Sequence, residues 1–305
     1  MCDTTWPGAI PGQDDADTLN ERTPRLVDRL DPSEDFNFEH FRMRHMLAEL
    51  LRPGLPPGRE APDFKLPSAD GPPLQLSELR GQPVLLHFVS YTCPVTRGGV
   101  ATMQELYRLY GEQVRFVEVL MRQAHPGERH GAYLSEEQKL EDGRDYKREE
   151  RVPWPVLIDD LACSVQHAYG GLAAAAYLID SRGMVAFCGT WGQSPALREA
   201  LDDLLARGGT GTPAGRGTDR RPHLAAAIVA GRSGPARGGR QALFDLELGF
   251  PGGNILMLMG GIFRPLLTPL ALRTTPIPQR ERTALLVGLV AACAALGLGV
   301  RYIRR

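Results

Sequence analysis

Cys93 is the residue whose sequence context predicts chemical reactivity. It lies within the stretch PVLLHFVSYTCPVTRGG, residues 83–99. Residues 83–90 are nearly all apolar, which is typical of a strand buried on both faces in an α/β sheet. A helical pattern begins at Cys93, with Pro94 at about the first helical position, where a missing N–H costs little. We therefore predict that Cys93 lies where a buried strand gives way to a helix.

This position would change the chemistry of the thiol. The unpaired N–H groups and the dipole at a helix N-terminus stabilise an anion, so a thiol placed there loses its proton more easily. The thiolate is the form of cysteine that attacks electrophiles. The alternative is a buried, inert cysteine, which is the commoner state of an isolated thiol. The strand–Cys–helix order favours a reactive Cys93.

Two other residues could act with Cys93. His125 comes shortly after the next predicted strand, residues 114–121, and should lie at the same edge of the sheet. Its imidazole could lower the thiol pKa or protonate a leaving group near neutral pH, although a solvated loop histidine is the alternative. Thr92 could donate a hydrogen bond to the sulfur, or could only cap the helix. We expect Cys93, His125 and Thr92 to form the catalytic group.

A reaction at one cysteine leaves a sulfenic acid or a mixed species, which another thiol must resolve. Cys163 begins a predicted short helix after a strand and is the better internal candidate. Cys188 lies in a predicted hairpin strand and is expected to pack in the core. External thiols such as glutathione or thioredoxin are the default reductants. No cluster of residues implies a metal or an organic cofactor.

The amino-acid composition argues against several classes of protein. The chain has 305 residues with 35 basic and 36 acidic side chains, so its net charge of −1 gives no reason to expect a nucleic-acid partner. Its five cysteines are odd in number and widely spaced, unlike a disulfide framework or a zinc site. No apolar run follows Met1, which predicts the absence of a secretory signal and a reducing, cytosol-facing compartment.

The order of predicted elements indicates the fold. Residues 1–57 are a polar lead-in followed by a helix at about residues 33–52, and residues 58–207 form a compact domain. Within that domain, strand–helix–strand units are followed by a hairpin and a final helix. This is the thioredoxin-like order, an α/β fold with a mixed central sheet and helices on both faces.

Several short motifs resemble one family. Ser-Tyr-Thr-Cys-Pro at 90–94 resembles the active-site turn of the iodothyronine deiodinases, with Cys93 where that family carries selenocysteine. Ala-His-Pro at 124–126 resembles a second segment of that family. Further motifs follow in family order at residues 140–142, 168–170 and 177–179. The resemblance implies a relative of the peroxiredoxins in which Cys93 attacks a small electrophile, a peroxide or an aryl halide, and is regenerated by thiols. The resemblance also implies that the domain could form a homodimer.

The composition changes after the compact domain. Residues 208–246 are rich in Arg and Gly and are predicted to be a flexible basic linker. Residues 247–273 are apolar but interrupted by Pro and Gly, which suits a segment lying at a lipid interface. Residues 283–300 carry no charge and are flanked by arginines, which predicts a transmembrane helix, with a buried helix as the alternative.

Together these patterns predict a single-pass membrane protein in contact with lipid, whose thiol oxidoreductase domain faces the cytoplasm. The competing hypothesis is a non-catalytic, membrane-anchored redox sensor or adaptor, in which Cys93 only reports oxidation.

Overall fold

The computed structural model describes part of the chain in detail: residues 37–51, 54–171, 174–192, 195–212, 217–221 and 223–276. The predicted transmembrane helix at 283–300 and most of the N-terminal lead-in lie outside these residues.

The central feature is a six-stranded mixed sheet. The described strands are β1 (Lys65–Leu66), β2 (Leu74–Gln75), β3 (Val84–Val89), β4 (Arg115–Leu120), β5 (Val156–Ile158), β6 (Ala176–Ile179), β7 (Val185–Gly189) and β8 (Thr218–Asp219). Six of them form the sheet in the order β5–β4–β3–β6–β7–β8. Strands β3, β4 and β5 are parallel to one another, β6 is antiparallel to both β3 and β7, and β8 is parallel to β7. A separate two-stranded ribbon is formed by β1 and β2.

The helices connect and cover this sheet. They are α1 (Met43–Leu51), α2 (Pro94–Tyr110), α3 (Glu136–Glu150), α4 (Ser164–Ala168), α5 (Pro195–Ala206), α6 (Leu224–Ala230), α7 (Ser233–Gly238), α8 (Arg240–Gly249), α9 (Gly253–Ile262) and α10 (Arg264–Ala271). A short 3-10 helix, Leu76–Leu79, precedes β3. Strand–helix–strand followed by a hairpin and helix α5 is the thioredoxin-like order, so the predicted fold class is confirmed for this part of the chain.

Strand β3 occupies the centre because all six of its residues are buried. Alternate side chains enter two different hydrophobic clusters, as the two-residue period of a strand requires. Leu85 packs with Met103 of α2 and Tyr146 of α3 on one face. Leu86 packs on the other face with Tyr169, which follows α4. Covering both faces explains the continuous apolar run that marks this strand in the sequence.

The N-terminal helix is shorter than the sequence suggests, because α1 begins only at Met43. The residues before it are held by contacts with distant parts of the chain instead of by helical turns. Phe38 and Phe41 pack in a cluster with Leu246 of α8 and Met257 of α9.

The stretch expected to be a flexible basic linker is in large part ordered, which corrects that prediction. It contributes β8 to the sheet, and its helices α6, α7 and α8 pack with α9 against the domain of residues 58–207 as one layer, which we call the cap (residues 224–262). Small residues permit this packing. A Cβ atom on Gly98 of α2 would lie 2.5 Å from the carbonyl oxygen of Ala226 in α6. A segment whose composition is typical of a flexible linker therefore packs closely, backbone against backbone, on α2.

Within the described ranges, no individual helix combines the length and hydropathy needed to cross a bilayer. Helices α9 and α10 satisfy both criteria only when taken together, and they are bent by 100° at their junction.

Candidate active site around Cys93

Cys93 lies where β3 gives way to α2, as predicted. It is the N-cap residue of α2, with an extended backbone (φ −81°, ψ 126°), and Pro94 occupies the first turn. Its carbonyl oxygen accepts a hydrogen bond of 3.0 Å from the N–H of Arg97. The N-terminus of a helix of this length stabilises negative charge on the sulfur.

The thiol is covered by apolar side chains. Only 5% of Cys93 is exposed, and it packs with Val95, Trp191 and Ala227. Ala227 belongs to the cap, and a Cβ atom on Gly234 of α7 would lie 2.7 Å from the carbonyl oxygen of Cys93. The cap therefore rests directly on the cysteine turn, which the sequence did not predict.

His125 is brought to the same place. Its backbone N–H donates a 3.0 Å hydrogen bond to Oγ1 of Thr92. Cys93 and His125 both line one cavity of about 120 Å³. The imidazole is 6% exposed and packs on Phe41, with 4.2 Å between ring centroids. No described residue offers a hydrogen-bond partner to its Nδ1 atom.

The protonation of His125 differs from that expected of an exposed histidine. Burial, together with the positive charge of Arg122, lowers the pKa of His125 to about 3. The imidazole is therefore neutral at pH 7. A neutral ring can accept the proton of a thiol or share a hydrogen bond with a ligand, but it cannot supply the positive charge that would stabilise a thiolate. Electrostatic stabilisation of the sulfur comes instead from the start of α2.

The side chain of Thr92 holds the cysteine turn in place and does not donate a hydrogen bond to the sulfur of Cys93. Its fully buried hydroxyl donates a 2.8 Å hydrogen bond to Oε1 of Gln123 and accepts the one from the His125 backbone. Its single proton is therefore already engaged. Thr92 ties the turn after β3 to the segment after β4, which fixes Cys93 and His125 relative to each other.

A buried polar network behind this contact was missed by the sequence analysis. Nε2 of Gln123 donates to Oδ2 of Asp142 at 2.6 Å and to the hydroxyl of Tyr133 at 2.9 Å. Asp142 also pairs with Nδ1 of His130 at 2.9 Å, and this hydrogen bond raises the pKa of His130. Helix α3 is so polar along its length that one buried aspartate leaves no periodic signal. The motif at 140–142 was the available clue.

Cys163 lies elsewhere. It is fully buried at the start of α4 in the hydrophobic cluster on the other face of the sheet, and it does not line the Cys93 cavity. Its Sγ atom accepts a 3.3 Å hydrogen bond from Nζ of Lys139, yet burial raises the pKa of the Cys163 thiol. The described structure does not bring this candidate resolving thiol together with Cys93.

The described ranges contain no group of three or more His, Cys, Asp or Glu side chains arranged to hold a metal ion.

The central segment of the chain is similar to a known protein family. Residues 57–188 match the model of the AhpC/TSA family. This segment is therefore similar to the redoxins. The thioredoxin-like protein YneN of Bacillus subtilis (strain 168) is 24% identical over 132 residues, which cover 43% of this chain and 70% of that protein. The match supports the redoxin part of the sequence-based resemblance, but not the narrower one to iodothyronine deiodinases.

Solved structures of redox proteins are also similar. Peroxidoxin BcpB from Mycobacterium tuberculosis is 19% identical with a TM-score of 0.38, and covers 50% of this chain and 97% of its own. A thiol-disulfide oxidoreductase from Bacteroides fragilis is 20% identical with a TM-score of 0.39, and covers 48% and 99%. The redoxin match ends at residue 188, so the cap lies outside it.

Proposed function

We propose that this chain is a thiol-dependent oxidoreductase in which Cys93 reduces a peroxide. The observation that carries this proposal is the placement of Cys93 at the N-terminus of α2 in a redoxin domain, on the wall of a cavity shared with His125. Redoxins act as thiol oxidoreductases or peroxidases, which supports the general class. A cysteine at a helix N-terminus has the electrostatic setting that this chemistry needs.

The reaction would proceed at sulfur. The neutral imidazole of His125 accepts the thiol proton, and Sγ of Cys93 attacks one peroxide oxygen. An S–O bond forms while the O–O bond breaks, and the departing oxygen takes a proton to leave as water or an alcohol. Cys93 is oxidised to a sulfenic acid, and the peroxide is reduced.

Two equivalents of an external thiol would complete the cycle. The first condenses with the sulfenic acid to give a mixed disulfide and water, and the second releases Cys93 as a thiol. The burial of Cys93 beneath the cap favours a small thiol such as glutathione over thioredoxin. Cys163 remains the internal alternative.

Substitution of the nucleophile tests this function. The Cys93→Ser variant should lose peroxide turnover, whereas Cys188→Ala, which alters a buried cysteine in a different cluster, should retain it. The assay follows consumption of hydrogen peroxide and of an iodinated phenol with glutathione as reductant. Unchanged turnover in Cys93→Ser would refute the proposal. Turnover of the iodinated phenol alone would assign Cys93 to aryl-halide chemistry.

The depth of Cys93 favours a second candidate, a non-catalytic redox sensor or adaptor. A thiol that is 5% exposed under a packed layer is better suited to slow oxidation than to rapid turnover. This alternative predicts a Cys93 thiol pKa near the ordinary value of about 8.5 and no turnover of any peroxide. Alkylation rates measured across pH separate the two candidates.

We also propose that the chain is attached to a membrane through residues 283–300, with the redoxin domain on the cytoplasmic side. The exposed apolar side chains of α9 and α10 support a nearby lipid surface. Membranes washed with carbonate should retain the full chain and release a version ending at Arg280. Release of both would refute the attachment.

A further inference from the structure

Away from the Cys93 cavity, a lysine and a cysteine are buried against each other. Lys139 of α3 and Cys163, the residue before α4, are both fully buried. Nζ of Lys139 donates a 3.3 Å hydrogen bond to Sγ of Cys163 and a 2.8 Å hydrogen bond to the carbonyl oxygen of Asp160. Lysine is almost never fully buried unless its charge is paired, so the partners of Lys139 indicate what its burial achieves.

The amine of Lys139 is held by the sulfur and not by an acid. Its two hydrogen-bond acceptors are a thiol and a backbone carbonyl group. The ring of Tyr133 adds a cation–π contact, with Nζ 5.6 Å from its centroid. Asp159 is a nearby buried carboxylate, but it accepts its hydrogen bonds from backbone N–H groups, including that of Gln166 in α4. The nitrogen nucleophile in direct contact with Sγ of Cys163 is therefore Lys139.

The Cys163 thiol is reached only when its surroundings open. Burial raises the pKa of the Cys163 thiol, so the sulfur is protonated at pH 7 and reacts slowly. Helix α4 has only five residues, too few to be stable on its own. It starts from Cys163 in the left-handed region, φ 52° and ψ 47°, which is strained for a residue with a Cβ atom. Local opening of α4 would admit a small oxidant to the sulfur.

We propose that Lys139 and Cys163 form a covalent, thiol-reducible S–N bond when a hydroperoxide oxidises the sulfur. A sulfenic acid is electrophilic at sulfur and condenses with a nearby thiol or nitrogen. The amine of Lys139 already lies against Sγ, so no rearrangement of the fold is needed to bring the two atoms together. This modification site is separate from the reaction proposed at Cys93.

The bond forms in two steps. In the first, Sγ of Cys163 attacks one peroxide oxygen, the O–O bond breaks, and the departing oxygen takes the thiol proton to leave as water or an alcohol. In the second, Lys139 loses one ammonium proton to water and its nitrogen attacks the sulfur of the sulfenic acid. The S–N bond forms as the S–O bond breaks, and the hydroxide leaves as water with a second proton from nitrogen. Cys163 loses two electrons, which the peroxide gains.

Thiols would reverse the modification. One thiol attacks Sγ, displaces the amine of Lys139 and leaves a mixed disulfide, and a second thiol releases Cys163. The S–N bond also protects the sulfur, because a sulfenic acid that is not captured is oxidised further to irreversible acids. The pair therefore suits a site that records exposure to peroxide and can be restored.

Peptide mass spectrometry tests the bond directly. The full chain is treated with hydrogen peroxide, free thiols are blocked with iodoacetamide, and trypsin is added without a reductant. The Lys139 and Cys163 peptides should be joined, lighter than their sum by two hydrogen atoms, and uncleaved after Lys139. Glutathione added before digestion should separate them. Cys163 found only as a sulfinic or sulfonic acid, or in a disulfide with Cys93, would overturn the proposal, as would a joined pair that keeps the oxygen atom.

A second lysine of α3 provides the matched control. Nζ of Lys147 donates to the carbonyl oxygen of Trp154 at 2.9 Å and not to a sulfur. Lys147→Arg should keep the cross-link, whereas Lys139→Arg should abolish it and raise sulfinic acid at Cys163 about fivefold, because no amine captures the sulfenic acid. Circular dichroism shows whether both variants fold. Equal cross-linking in the two variants would overturn the assignment to Lys139.

The Cys93→Ser variant separates this site from the proposed function. It should form the cross-link as readily as the wild-type chain, even when peroxide turnover is lost. A cross-link in a chain that turns over no peroxide would retain this inference and reject the proposed function. Turnover without a cross-link would retain the function and overturn this inference. A cross-link that forms in the wild-type chain but not in Cys93→Ser would overturn direct oxidation of Cys163.

Discussion

The contact between α9 and α6 can be perturbed at one of two adjacent glycines. A Cβ atom on Gly260 would lie 2.9 Å from the carbonyl carbon of Ile228 in α6 and still closer to its oxygen. A Cβ atom on Gly261, the next residue of the same helix, would meet no atom within 4 Å. Gly260→Ala should therefore loosen the cap, and Gly261→Ala should not.

The magnitude follows from the difference between the two variants. Replacing Gly by Ala inside a helix gains about 1 kcal/mol of helix propensity, and this gain is common to both positions. Overpacking against backbone costs about 1–3 kcal/mol, and only Gly260→Ala incurs it. The cap of Gly260→Ala should thus be about 1–3 kcal/mol less stable than that of Gly261→Ala.

Alkylation of Cys93 measures this difference, because the thiol is reached when the cap opens locally. A loss of 1–3 kcal/mol corresponds to about 5- to 150-fold faster labelling. Mass spectrometry of the peptide that contains Cys93 distinguishes it from the other cysteines, and circular dichroism confirms that both variants fold. Equal labelling rates in the two variants would refute the conclusion that the cap covers the thiol.

Three further predictions concern the surroundings of the site. The raised pKa of His130 means that its pairing with Asp142 stabilises the fold fully below the unfolded pKa of about 6.5, and that this contribution is lost as pH rises through the higher folded value. The loss in urea-unfolding free energy on His130→Gln should therefore be larger at pH 5.5 than at pH 8.5, and a pH-independent loss would contradict the pairing. Arg237 of α7 pairs with the buried Glu150 of α3, so Arg237→Met should lower the free energy of unfolding by about 1–3 kcal/mol, while an unchanged urea midpoint would argue against this link between cap and domain. Glutathione should reduce oxidised Cys93 faster than thioredoxin does at equal thiol concentration, and a faster reaction with thioredoxin would show that the cap opens readily to proteins.

Much of the fold could be predicted because its signals are local. The apolar run of β3 and the proline after Cys93 each specify a nearby backbone state. The resulting order of elements sufficed for the thioredoxin-like topology. The position of Cys93 followed from the same local logic.

The cap could not be predicted in this way. Its helices are rich in Gly and Ala, and their stability comes from close contact with α2 rather than from a strong apolar stripe. Judged by composition alone, this part of the chain is therefore typical of a flexible linker. The neutral state of His125 was likewise hidden, because it depends on burial by Phe41 and on the charge of Arg122. Such tertiary effects leave no mark on the spacing of residues along the chain.

The segments that cover Cys93 are far apart in the sequence, which determines when each of them can pack during synthesis. His40 and Asp245, which join the two flanking segments at 3.0 Å, are 205 positions apart in the chain. Because domains generally fold from the N-terminus as they leave the ribosome, the domain of residues 58–207 can fold before helices α6 to α9 have been translated. Cys93 is then open to solvent in the nascent protein and becomes sheltered only when translation has passed α9. A ribosome stalled before that point would hold a folded chain with a bare thiol, open to oxidants and to mixed-disulfide formation.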